Sequence, residues 1–89
     1  MARIEKKVWP EPFAAIERGT KRFELRLQDF TVNEGDTLVL REYDPETKSY
    51  TGRTIEKRVT YILPFKIDSL PYYTEEQIQE HGLQVISIE

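Results

Sequence analysis

Phe13-Ala14-Ala15-Ile16-Glu17-Arg18-Gly19-Thr20-Lys21-Arg22-Phe23-Glu24-Leu25-Arg26-Leu27 contains the change of period that decides the fold class. Before Gly19, Phe13 and Ile16 stand three apart around two alanines, the spacing of one helical face. After it, Phe23, Leu25 and Leu27 alternate with Arg22, Glu24 and Arg26, the spacing of a strand. Gly19 suits the left-handed residue that closes a helix. The stretch predicts a helix of about two turns that hands the chain directly to a strand. Phe23, Leu25 and Leu27 are expected on its packed face, and the charged residues on its wet one.

Upstream, Arg3 to Trp9 reads as a strand with Ile4 and Val8 inward, and Trp9-Pro10-Glu11-Pro12 opens the helix, where a missing N–H costs nothing. Downstream, Asn33-Glu34-Gly35-Asp36 is a turn and Thr37 to Tyr43 a strand. Asp44-Pro45-Glu46-Thr47-Lys48 and Thr51-Gly52 bracket a hairpin loop. Arg53 to Leu63 then resumes antiparallel, with Ile55, Val59, Tyr61 and Leu63 alternating until Pro64 ends the strand. An irregular connection carrying Pro71 leads to Thr74, whose spacing to Gln77 is that of a capping box, and Gly82 stops this second helix after His81. Leu83 to Ile88 closes the chain as a central, β-branched strand. The sum is an α+β chain, one domain over 1–89, with about five strands and two short helices, arranged as a small, partly closed β-barrel.

Composition narrows the function classes. With 38% hydrophobic and 33% charged residues in 89, one compact core forms. A chain this short buries only about 60–65% of its unfolded surface, so a ligand site is a cleft rather than an enclosed cavity. No cysteine means no disulfide, thiol nucleophile or thiolate metal site, and no stretch approaches a membrane span. A soluble cytoplasmic protein is expected, with monomer as the default state. Residues 1–26 carry seven Lys/Arg against four Asp/Glu, whereas residues 27–89 carry six against twelve. This argues against an extended nonspecific polyanion binder and leaves a local basic patch. Asp68 to Glu89 holds five carboxylates and no Lys or Arg, a solvated face. The one histidine, His81, is placed to meet the last carbonyls of its helix; neither a metal nor a cofactor is expected, and no conventional catalytic signature is present.

Lys21, Glu24 and Arg26 admit two readings. One is a solvated strand face with a surface ion pair. The other is a site at the bend after the helix, where Arg26 grips a phosphate, carboxylate or base edge through its planar fork and Glu24 orients it. Strict alternation puts Lys21 opposite Glu24 and Arg26, so convergence requires a bend near residue 22. Among the aromatics Trp9, Tyr43, Tyr50, Tyr61, Tyr72 and Tyr73, Trp9 beside its prolines is the best candidate for stacking on a base, although the balance narrowly favours a core position for it. Tyr61, in an alternating strand, is expected to pack.

Gly19-x-Lys21-x-x-Glu24-x-Arg26 resembles the G-x-K-x-x-E-x-R signature of ASCH domains, a branch of the PUA-like superfamily. Gly35-Asp36-Thr37-Leu38-Val39-Leu40-Arg41-Glu42-Tyr43-Asp44 and Tyr50-Thr51-Gly52-Arg53 extend the match, which covers about residues 7 to 63 and resembles a small ASCH-like family of unknown function found in bacteria and phages. The resemblance implies a PUA-like barrel with a cleft lined by Gly19, Lys21, Glu24 and Arg26, with Trp9 beside it, and RNA or a nucleotide-like molecule as partner. ASCH hydrolases of acetylated cytidine carry a threonine where this chain has Glu24, and relatives in the small family carry a basic residue where it has Phe30. A binding module is therefore the expectation. The alternatives are a small hydrolase or nuclease acting on modified nucleosides or RNA, with its catalytic residues unassigned, and an interaction protein that pairs through the edge of Arg53 to Leu63.

Overall fold

The computed structural model describes residues 1–65 and 73–89; Pro71, Tyr72 and Asp68 lie outside the described residues. In chain order the elements are β1 (Arg3–Val8), α1 (Pro10–Arg18), β2 (Phe23–Leu27), β3 (Thr37–Asp44), β4 (Ser49–Phe65), α2 (Glu75–His81) and β5 (Leu83–Ile88). The strands form one mixed sheet in the order β1-β3-β4-β5-β2, with β1 and β3 parallel and every other pair antiparallel. This is the α+β arrangement the alternation of periods predicts, and β5 is internal as expected.

β4 is long because it serves two partners: residues 49–58 pair with β3 and residues 59–65 with β5. The sheet changes partners there, and a bulge between Val59 and Tyr61 sets two positions against one. An extra residue reverses the alternation that follows. Val59 is buried, but past the bulge Ile62 turns to the core while Tyr61 (58% exposed) and Leu63 (51%) face out. The packed position expected for Tyr61 is thus overturned. Pro64 does not end the strand either; it pairs with Gln84. From residue 59 onward β4 has left β3 and has one strand neighbour, which leaves a side where a missing N–H breaks no ladder.

The core gathers Val8, Phe13, Ile16, Val32, Leu38, Leu40, Val59, Ile86 and Ile88. α1 lies on β3 and fully buries Phe13 and Ile16, worth about 1.5–3 kcal/mol each. Asp36, read from sequence as a turn residue, is buried and accepts from Ala2 N and Asn33 N, both at 2.9 Å. It ties the start of β1 to the start of β3, and these N–H bonds, Ala2 first, hold its carboxyl below the usual carboxylate range. At the other end of the chain Thr74 and Gln77 make the anticipated capping box on α2.

β1 and β2 are the two ends of the strand order, yet they meet through a side chain: Arg26 Nη2 donates to Lys7 O at 2.8 Å. The sheet therefore curls far enough for one arginine to span its seam.

Candidate functional site

The site begins at the helix stop. Gly19 takes φ +81°, the left-handed conformation, and Thr20 N and Lys21 N then both donate to Ala15 O. These bonds keep Lys21 in the turn, two residues short of β2, so strand alternation never applies to it. That is the bend convergence requires.

Glu24 is the centre of the cluster. Its side chain is 5% exposed, and each carboxylate oxygen is held by a different cation: Oε1 by Lys21 Nζ at 2.9 Å and Oε2 by Arg26 Nε at 2.8 Å. The expected orientation of β2 is thereby inverted. Glu24 is buried and Arg26 half-buried, while Phe23 is 48% exposed. Register explains the inversion, since Glu24 and Arg26 stand opposite Ile86 and Gln84, both buried on the inner face of β5. A carboxylate in this setting is tolerable only because both oxygens have charged donors.

Lys21 also protects the strand edge. Ile88 N bonds Arg22 O and Gln28 N bonds Gly82 O, so even-numbered residues of this segment point their backbone groups at β5 and odd-numbered ones at the free edge. The three outward carbonyls each find a side chain: Phe23 O takes Lys21 Nζ at 2.9 Å, Leu25 O takes Tyr73 OH at 3.4 Å, and Leu27 O takes Gln84 Nε2 at 3.3 Å. An edge so occupied is a poor template for a foreign strand.

Across the seam, β1 contributes two residues that sequence reasoning left out. Lys6 Nζ sits 3.6 Å from the centre of the Phe30 ring and Lys7 Nζ 4.4 Å from that of Tyr43. Burial pushes the Lys6 ammonium below the usual lysine range and Arg26 adds to this, while Asp29 opposes it. Ile4, Lys6 and Val8 share one strand face, so period two did contain a signal for Lys6. Trp9 follows directly at the N-cap of α1 and is 59% exposed, which overturns its core reading and leaves its indole open to solvent.

A third buried carboxylate, after Glu24 and Asp36, lies on β3. Glu42 continues the inward face of Leu38 and Leu40, and opposite it β4 supplies Thr51, Gly52 and Arg53 in an irregularity where three residues face one. Thr51 Oγ1 donates to Glu42 Oε1 at 2.7 Å, and Arg53 reaches Glu42 at 3.6 Å and Glu17 at 2.6 Å. The hairpin loop expected over these residues is instead strand with a bulge, made possible by Gly52 at φ +96°.

Finally, an open cleft of about 460 Å³ is lined by Gln28, Asp29, Phe30, Ile62, His81 and Gln84 among others; Trp9, Gly19, Lys21, Glu24 and Arg26 do not line it. Among the described residues no three His, Asp or Glu side chains gather as metal ligands, and no helix is long and apolar enough to cross a membrane.

Comparison with known proteins places this geometry in a family. The fold is that of the crystal structure of hypothetical protein PH0355, with a TM-score of 0.76 over 100% of this chain and 98% of that one, at 20% identity. An uncharacterized 12.9 kDa protein in the GpA 3′ region of Escherichia phage P2 is 39% identical over 61 residues, 67% of this chain and 54% of the phage protein. The chain thus spans about half the length of that curated relative. A family model described as a domain of unknown function, DUF3850, matches residues 5–73, which take in most of β1, the helix stop, the ion triad and the bulge at Gly52. The chain belongs to the DUF3850 family.

Proposed function

We propose that this chain is an ASCH-type binding module that holds a nucleotide, or one nucleotide unit of an RNA, at the seam between β1 and β2. The observation that carries this reading is the triad. One buried carboxylate fixes two cations beside a gap between edge strands, with a net charge of +1 left for an anion. The described bonds of Arg26 use Nε and Nη2, and Nη1 is the part of the fork available to a phosphate oxygen. Cations already held in place lose little freedom on binding, which favours affinity. Trp9, exposed just past the end of β1, offers an indole for stacking on a base.

The same bonds argue for binding over catalysis. Lys21 donates to a carboxylate and a carbonyl, the opposite of what a general base does, and both oxygens of Glu24 are engaged by cations.

Fluorescence titration of mononucleotides and short RNAs at low salt, with wild type, Lys21→Ala and Arg26→Ala, tests the proposal. Both variants should weaken binding, and the dependence of log K on log salt should be shallow, about −1.4 for two phosphate contacts to a single strand. Identical isotherms for the three proteins would sink it.

A further inference from the structure

The open cleft beside the triad has a composition that electrostatic capture of a phosphate does not need. Register joins the two features: Arg26 stands directly opposite Gln84 on the neighbouring strand, so both side chains leave the same face of the sheet. Ile62 and Ile86 stand opposite one another on that face, in line with Glu24, and Ile62 continues the cleft wall. Lys6 is close enough to both Arg26 and Asp29 for each to act on its charge, and its ammonium covers the Phe30 ring that lines the cleft. A molecule anchored by phosphate at Arg26 therefore has its next few ångströms over Gln84.

Gln84 is 2% exposed, and its amide is oriented by the bond from Nε2 to Leu27 O at 3.3 Å. A primary amide has two N–H donors and a carbonyl acceptor; one donor goes to Leu27, and Gln84 is among the residues that line the cleft. An amide presenting a donor and an acceptor side by side pairs with an edge that offers the reverse. Adenine and cytosine carry such an edge, an exocyclic amine next to a ring nitrogen acceptor. Asp29 lines the same cleft and is acceptor-only when ionised, so it rewards an amine and repels a carbonyl. The cleft volume of about 460 Å³ lies in the range of small-molecule sites.

We infer that the Gln84–Asp29 cleft is a base pocket that selects an amino-bearing nucleobase, adenine or cytosine, on a nucleotide whose phosphate is held at Arg26. The inference rests on the nucleotide-binding reading of the seam and adds to it the identity of the base. Uracil and hypoxanthine present a carbonyl where the preferred bases present an amine, and the fixed amide cannot turn over without losing Leu27 O.

The experiment is calorimetric titration of AMP, CMP, IMP, UMP and ribose 5-phosphate into wild type, Thr31→Trp, Asp29→Asn and Arg26→Ala. Thr31 and Asp29 are exposed and line the cleft, so each can change with the fold kept, as circular dichroism and melting will show. AMP and CMP should bind at least about tenfold more tightly than IMP and UMP, the scale of one well-formed pair of base contacts. Thr31→Trp, which fills the cleft, should remove that preference and leave ribose 5-phosphate binding intact. Asp29→Asn should narrow it, and Arg26→Ala should weaken every ligand. If all five ligands bind wild type equally, with dependence on Arg26, the base pocket is overturned and the seam site stands. If no ligand binds wild type, both readings fall.

Discussion

Replacing Glu24 with glutamine removes one negative charge from the inner end of β2 and changes almost no volume, so its effect isolates the ion triad. In the native protein the carboxylate accepts two charge-assisted bonds, from Lys21 and Arg26, at 2.9 and 2.8 Å. Bonds to charged groups contribute about 1.5–3 kcal/mol each. Glutamine keeps one acceptor for one cation but sets its amide N–H₂ against the other. Removing one partner of a fully buried pair costs about 3–5 kcal/mol. Here Lys21 and Arg26 retain 23% and 22% exposure and their carbonyl partners Phe23 O and Lys7 O, so the loss is smaller. About 2 kcal/mol is expected, a fall in Tm of about 8–16 °C for a domain of this size. Glu56→Gln is the control, because its pair with Arg3 is more than half exposed on both sides and should leave Tm nearly unchanged. Thermal melts by circular dichroism at neutral pH, backed by urea titration, measure both variants. A Glu24→Gln protein that melts with Glu56→Gln, or above wild type, would refute the claim that the triad is a buried, coupled unit.

Gly19→Ala should destabilise by about 1–2 kcal/mol through backbone strain alone, because φ is +81° and nothing lies within 4 Å of the added methyl; in urea Gly19→Asn should lose less, and equal losses would contradict this. Asp36 has a folded-state pKa below its unfolded one, so its stabilisation is complete above the ordinary carboxylate range and is lost as pH falls through the folded value. The acid limb of stability against pH should therefore flatten in Asp36→Asn, and a limb of wild-type steepness would count against the role of Ala2 and Asn33 N–H. Lys6 should titrate below the ordinary lysine range by NMR, and Asp29→Asn should move it further down by removing the group that raises it; an upward or absent shift would separate the two residues.

Local chemistry along the chain was highly legible. Gly19, the change from period three to period two, Thr74 with Gln77, and Gly82 each name an element boundary, and each stands where expected because a left-handed residue or a cap acts within a few residues of itself. The triad was legible as a motif, but its burial was not. Alternation said correctly that Glu24 and Arg26 share a face, yet assigned that face to solvent because a charged row ordinarily sits there. Lys6 and Glu42 lay hidden by the same rule, each a charge in a row whose other members are aliphatic.

The sequence by itself determined the α+β class, the order of elements and the helix stop that sets Lys21 outside β2, since all of these follow from contacts between near neighbours. Tertiary structure alone decided which side of β2 and of the second half of β4 faces in. Pairing with Ile86 and Gln84 turned Glu24 and Arg26 inward, the bulge at residue 60 turned Tyr61 and Leu63 outward, and the curl of the sheet brought Arg26 to Lys7. Periodicity fixes only which residues share a face. The direction of that face depends on strands far apart in the chain, and one inserted residue in a ladder reverses it.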